Sequence, residues 1–215
     1  MTQSLILPLR PIIGLLGAMH LAGFIGLQWG WLRPLFEQLI AFNLIGTALL
    51  LLFFHSDWNR AFVGFGGLAF LIGFWIEWLG VHTGLIFGRY AYGPSLGYAW
   101  DGIPVLIGLN WFLLTYVSGV VVYLRLGPSW ASIGLGALLM VGLDYLIEPV
   151  AIRHHMWHWF GEAVPLQNYL AWLVVALVLM YLFIKLPFRK ENPLAPWILL
   201  FQALFFVAHN ISYFF

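Results

Sequence analysis

The sequence predicts an all-α membrane bundle of about seven transmembrane helices, a single transmembrane domain over residues 1–215 with an interfacial loop after the third helix. Three observations lead there. The 215 residues are 63% hydrophobic and 8% charged, with a mean hydropathy of +0.94, far from the composition of a soluble domain. Apolar stretches of about twenty residues, enough to cross the bilayer as helices, recur along the chain. Their connections are short, with no linker, low-complexity tract or repeat between them. Helix is the conformation required, because hydrocarbon offers no partner to an unpaired amide.

The spans run Pro11–Trp29, Leu35–Phe54, Ala61–Val81, Ile103–Leu124, Trp130–Ile147, Asn168–Leu186 and Pro196–Tyr213. The first follows Arg10 and lacks a small-residue cleavage site, so it reads as a retained helix rather than a signal peptide. His20 within it and Asn43 in the second read as hydrogen-bonding groups inside the bundle. The third carries Gly64, Gly66, Gly67 and Gly73, which admit close helix neighbours. Gly84, Gly88, Gly93 and Pro94, set among aromatics, then predict a folded re-entrant or interfacial loop holding Arg89 and Tyr90. Asp101, Gly102 and Pro104 look like the start of the fourth helix, and Asp101 reads equally as its cap or as a catalytic group. Asn110 lies two turns into that span.

Pro149 is expected to end or kink the fifth helix. His154 and His158 would share a helical face and invite a metal. With no further histidine boxes, an interfacial segment holding Trp157 and Trp159 at headgroup depth is preferred, and no metal is expected. Gln167, Asn168 and Tyr169 open the sixth span, and His209 and Asn210 close the seventh, where they could line one vestibule. Arg10, Arg60, Arg125, Lys185, Arg189 and Lys190 fall on one side of a seven-span topology, Arg33, Arg89 and Arg153 on the other. The positive-inside rule then predicts a cytoplasmic N-terminus in the cell membrane, with the loops after the third and fifth spans outside.

Nine Lys and Arg against eight Asp and Glu give no basic excess for nucleic acid or for a polybasic anchor. The absence of cysteine excludes disulfides, thiolate catalysis and iron–sulfur clusters. Candidate chemistry therefore rests on buried ionisable groups, each of which costs at least about 2.5 to 3.5 kcal/mol at membrane depth. Glu77 closes the third span with His82 just beyond it. Asp144 and Glu148 are four residues apart on one helix face, where two like charges cannot both ionise cheaply and one is expected to hold a proton. The structural alternative is a pair neutralised by Arg89 and Arg153. If the third and fifth helices converge, Glu77, Asp144, Glu148 and Asp101 surround a wet pocket beside an oily cleft, tuned by Arg89, Arg153 and His82. Acid, base and aromatic walls suit protonation of an alkene and capture of the cation, with no cofactor required.

The runs FWIEWLGVHTGLIFGRYAYGPSLG, GIPVLIGLNW, GALLMVGLDYLIEPVA and PLQNYLAWLV, between Phe74 and Val175, resemble the signature blocks of the integral-membrane carotenoid biosynthesis proteins, which include carotenoid hydratases. The resemblance implies hydration of the terminal C1,2 double bond of an acyclic carotenoid dissolved in the bilayer, with other carotenoid enzymes as possible partners. In the scheme drawn from the residues, the Asp144/Glu148 pair delivers the proton, Glu77 activates water, and Arg89 and Asp101 hold the water and the charges. Alternatives are a cyclase or isomerase using the same cation, a proton-coupled transporter, or a scaffold subunit of a pigment-making complex. The seventh span has no lysine for a retinal Schiff base.

Overall fold

A computed structural model describes residues 8–161 and 163–213. It contains seven helices: α1 (Leu9–Gln28), α2 (Arg33–Phe53), α3 (Arg60–Thr83), α4 (Leu106–Leu126), α5 (Trp130–Arg153), α6 (Leu166–Lys185) and α7 (Ala195–Ser212). All seven are long and apolar enough to cross a membrane, so the chain is a multi-pass membrane protein. Each expected span has its helix, displaced by a few residues at the ends. The exception is α5, which continues through Pro149 to Arg153. Proline removes one amide donor, but the last turn survives because His154 N still bonds the Val150 carbonyl at 3.0 Å.

Helix α4 is the axis of the bundle and the most enclosed of the seven, meeting α2, α3, α5, α6 and α7. Trp111, Leu113, Leu114 and Tyr116 on it are fully buried. Small residues set how near α3 comes: a Cβ on Gly73 would collide with the Trp111 side chain, and one on Gly108 would stand 2.7 Å from the Phe70 carbonyl. Of the other α3 glycines, Gly66 faces Phe112, whereas Gly64 and Gly67 meet nothing within 4 Å and do not serve the packing expected of them.

The loop after α3 is folded, as its composition predicts. Gly84, at φ +67°, caps α3 in the left-handed conformation that glycine adopts without strain. There follow β1 (Tyr90–Tyr92), a 3₁₀ turn at Pro94–Leu96, β2 (Ala99–Trp100) and β3 (Ile103–Pro104), and after α5 comes β4 (Trp157–Trp159). Strands β2 and β3 form a hairpin whose two-residue turn is Asp101–Gly102, at φ +48° and +80°. Two positive φ values are what a type I′ turn demands, and Asp-Gly is its favoured pair. Asp101 is therefore not the cap of α4, which begins only at Leu106. Strands β1 and β4 pair antiparallel with Tyr90 opposite Trp159 and Tyr92 opposite Trp157. The expected interfacial segment holding Trp157 and Trp159 thus takes the form of a strand, and the helical face that His154 and His158 would share is not formed.

Candidate active site

Side chains alternate across a strand, so Tyr90 and Tyr92 share one face of the β1–β4 ribbon with Trp157 and Trp159. That face lies over the ends of α3 and α5. The phenols of Tyr90 and Tyr92 both donate to Glu77 Oε2, the second at 2.8 Å, and Trp111 Nε1 donates to Glu77 Oε1 at 2.9 Å. Trp157 and Trp159 both donate to Glu148 Oε2, at 3.0 and 2.9 Å. From α6, Asn168 Nδ2 lies 2.8 Å from Asp144 Oδ2 and 3.5 Å from Glu148 Oε1, joining the two carboxylates. Glu77, Asp144, Glu148 and Asn168 are all buried. Burial first, and then the adjacent Glu77 carboxylate, pushes the Tyr90 and Tyr92 phenols well above their ordinary value, so both stay O–H donors.

Three of the four carboxylates expected around the pocket thus meet, and every hydrogen bond to them comes from a neutral donor. Among the described residues no basic side chain forms an ion pair with any of them. Arg89 is exposed and lays its stem against Gly84, while its backbone carbonyl accepts from Phe160 N at 3.0 Å. Arg153 sits over the Tyr213 ring, 4.3 Å from its centroid. Neither neutralises the acidic pair. His82 stacks on Trp78 and pairs at 3.2 Å with Asp101, which also accepts from Trp78 Nε1 at 2.7 Å, so His82 and Asp101 form an exposed couple away from the carboxylates.

The histidines after α5 diverge. His154 is buried against Glu37 at 3.1 Å, burial holding it below its ordinary value, His155 stands at φ +54°, and His158 packs on Phe160. Gln167 bonds the Leu85 carbonyl, and His209 and Asn210 turn to Gln28 and to the Leu146 carbonyl, so none of the three joins the acidic group. His20 bonds the Leu16 carbonyl as expected of it, but Asn43 makes no side-chain hydrogen bond among the described residues and lines a cavity instead.

Two cavities share a wall at the site. A chamber of about 30 Å³ is walled by Glu77, Asp144, Glu148, Tyr90, Tyr92 and neighbouring rings. A second, of about 410 Å³ and mainly apolar, runs between α1, α2, α4 and α7. Ile107, Asn110, Ile147 and Trp157 border both, so Asn110, expected among the site residues, stands in the wall between them. Lining residues Leu39 and Phe42 are also exposed, which opens the larger space toward lipid beside α2. Its volume falls in the range of about 300 to 1,000 Å³ typical of small-molecule sites. The smaller exceeds the roughly 10 to 15 Å³ that one water requires. Sequence reasoning missed Tyr92, Trp111, Trp157, Trp159 and Trp172. The last stacks on Trp111 at 3.9 Å and completes the chamber wall.

Residues 38–213 match the family described as carotenoid biosynthesis protein, a span that takes in six of the seven helices in whole or large part. The chain is also 31% identical, over 123 residues, to the bisanhydrobacterioruberin hydratase of Haloarcula japonica. That alignment covers 53% of this chain and 41% of the relative. No solved structure matches. The chain belongs to the carotenoid biosynthesis protein family.

Proposed function

We propose that this member of the carotenoid biosynthesis family is a hydratase, which adds water across the terminal C1,2 double bond of an acyclic carotenoid end. The observation that carries the reading is the shared wall: an oily cavity open to lipid lies against a water-sized chamber lined by three carboxylates and no cation, with Ile107, Asn110, Ile147 and Trp157 between them. The polyene end enters from the bilayer past α2 and brings its terminal alkene to Asn110 and Ile147. The relative that the chain covers to 41% is named a hydratase, which supports water addition as the reaction class.

Roles follow from the donors. Indole and amide N–H groups can only donate, so the oxygens they contact are acceptors. Glu77 accepts three hydrogen bonds and Glu148 two short ones, which favour their charged forms, whereas Asp144 accepts one and leaves Oδ1 free to hold a proton. Asp144 is the acid. Its proton goes to the less substituted alkene carbon, the π pair forms the new C–H bond, and the positive charge is left on the tertiary carbon. A chamber water then gives that carbon its lone pair, and its proton passes to Glu148 Oε1, the least engaged of the acceptors on the two anions. Glu77, with its acceptors committed to three donors, balances the cation rather than activating water. Proton return from Glu148 to Asp144, one turn away, closes the cycle. Cyclisation would use the same cation, but a water-sized space beside the acids favours hydration.

The test is expression in a strain that makes acyclic carotenoids, with mass spectrometry of the extracted pigment. The wild-type chain adds one water mass per reacting end. Glu77→Gln, Asp144→Asn and Glu148→Gln lower the yield, the last two by about 10²- to 10⁴-fold as expected for a lost acid or base. Full activity in all three, or a new pigment of unchanged mass, overturns the assignment. The positive-inside pattern puts the N-terminus in the cytoplasm and the chamber near the outer face of the cell membrane.

A further inference from the structure

We infer that the large cavity contains a second recognition site, one for a hydroxyl group on its apolar ligand, formed by His20 of α1, Asn43 and Thr47 of α2 and Gln202 of α7. The inference rests on the cavity being the seat of an acyclic isoprenoid chain. All four residues line it. Asn43 and Thr47 are one turn apart on the same face of α2. Their polar atoms are left unengaged by the protein. Thr47 Oγ1 and Gln202 Oε1 are buried without a hydrogen-bond partner, Asn43 has none for its amide among the described residues, and His20 uses Nδ1 on the Leu16 carbonyl, leaving Nε2.

Buried polar groups are hydrogen-bonded in most proteins, and a cluster that is not bonded beside a cavity of ligand size points to a partner supplied by the ligand. The set narrows that partner's chemistry. No Asp, Glu, Lys or Arg lines the cavity, so the partner is neutral. Amide, hydroxyl and imidazole together offer both donors and acceptors, which suits a hydroxyl, a group that gives one hydrogen bond and takes others. The protein would hold a chain that already carries a hydroxyl in preference to the bare hydrocarbon, so a reaction that installs oxygen on the chain would come before this one.

Native mass spectrometry of the protein in detergent, with hexahydrofarnesol and farnesane as competing probes, tests this apart from catalysis, since neither probe has a double bond to hydrate. The expected result is that the wild type takes up the alcohol about tenfold more tightly than the hydrocarbon, the effect of one to two hydrogen bonds. Thr47→Val, which keeps the side-chain shape, and the double variant Asn43→Leu with Gln202→Leu remove that preference while farnesane uptake is unchanged. Equal uptake of the two probes by the wild type overturns the inference, as does a loss of both probes alike in Thr47→Val. Failure of the hydratase reading would appear elsewhere, as pigment without added water in the carotenoid-producing strain.

Discussion

The two indoles on Glu148 offer the sharpest perturbation of the proposed chemistry. Trp157 and Trp159 contribute bonds of 3.0 and 2.9 Å to the same oxygen, and the next contact, from Asn168 to the other oxygen, is 3.5 Å long. A hydrogen bond to a charged group contributes about 1.5 to 3 kcal/mol, and about 1.4 kcal/mol is tenfold in rate. Both bonds end on one atom, so losing one lets the other shorten, and Trp157→Phe or Trp159→Phe alone should slow hydration by about tenfold. The double variant leaves the buried carboxylate with the long amide contact and should slow it by about 10²- to 10⁴-fold. Initial rates of hydrated pigment formation in isolated membranes, normalised to protein level, measure this. Trp172→Phe is the control for lost ring area: it sits in the same wall and stacks on Trp111, but donates to no carboxylate. A double variant at the wild-type rate, or one no slower than Trp172→Phe, would refute the role given to these donors.

Three other expectations follow from the same geometry. Tyr90 and Tyr92 keep their protons in the fold to higher pH than in the unfolded chain, so their contribution is present below pH 10 and is lost as pH rises from there through the folded values; thermal unfolding in detergent should show Tm falling above about pH 10, less steeply in Tyr92→Phe. Gly73→Leu would drive Trp111 from its place on α4 and break its bond to Glu77, destabilising the protein by about 1 to 3 kcal/mol as overpacking does and lowering the hydration yield; Gly64→Leu, which meets open space, should do neither. Because the chain has no cysteine, Tyr98→Cys and Glu191→Cys report orientation directly: an impermeant thiol reagent on whole cells should label the first and spare the second.

What could be read from the sequence was whatever repeats at a helical period. The seven spans were legible, and so were Glu77, Asp144 and Glu148, because an acid in an apolar run is costly and stands out. The ribbon that completes the site was not, since three-residue strands are too short for any hydrophobic period to register. A signal existed all the same: Tyr-Ala-Tyr and Trp-His-Trp each alternate a large ring with another residue, the period of two that aims both rings the same way. Asp101 was misplaced because Asp-Gly before an apolar span reads as a helix start, although the same pair is a strong type I′ hairpin signal. The arginines failed differently. Spacing put Arg89 and Arg153 near the acids in the chain but could not say which way they point: Arg89 is exposed, and Arg153 lies over the Tyr213 ring. Trp111 looked like any core aromatic until Glu77 was found at its N–H. The cavity wall from α1, α2 and α7 has no local signature, because an enclosed space is a property of four helices together.

The absence of basic partners gives the site its logic under the proposed reaction. A buried anion paired with arginine is already satisfied, and a cation arriving beside it gains little. Here the two anions, Glu77 and Glu148, are held by phenol, indole and amide dipoles, which support the negative charge without cancelling it. A positive charge forming about 4 Å from such a carboxylate gains about 4 kcal/mol at an effective dielectric constant of 20, against about 1 kcal/mol in water. Two anions would together lower the barrier to the tertiary cation by about 6 kcal/mol relative to water, about four powers of ten in rate. The same field holds only while nothing positive is bound nearby. In keeping with this, His82 is engaged by Asp101 and Arg153 by Tyr213, so these basic side chains are kept off the chamber.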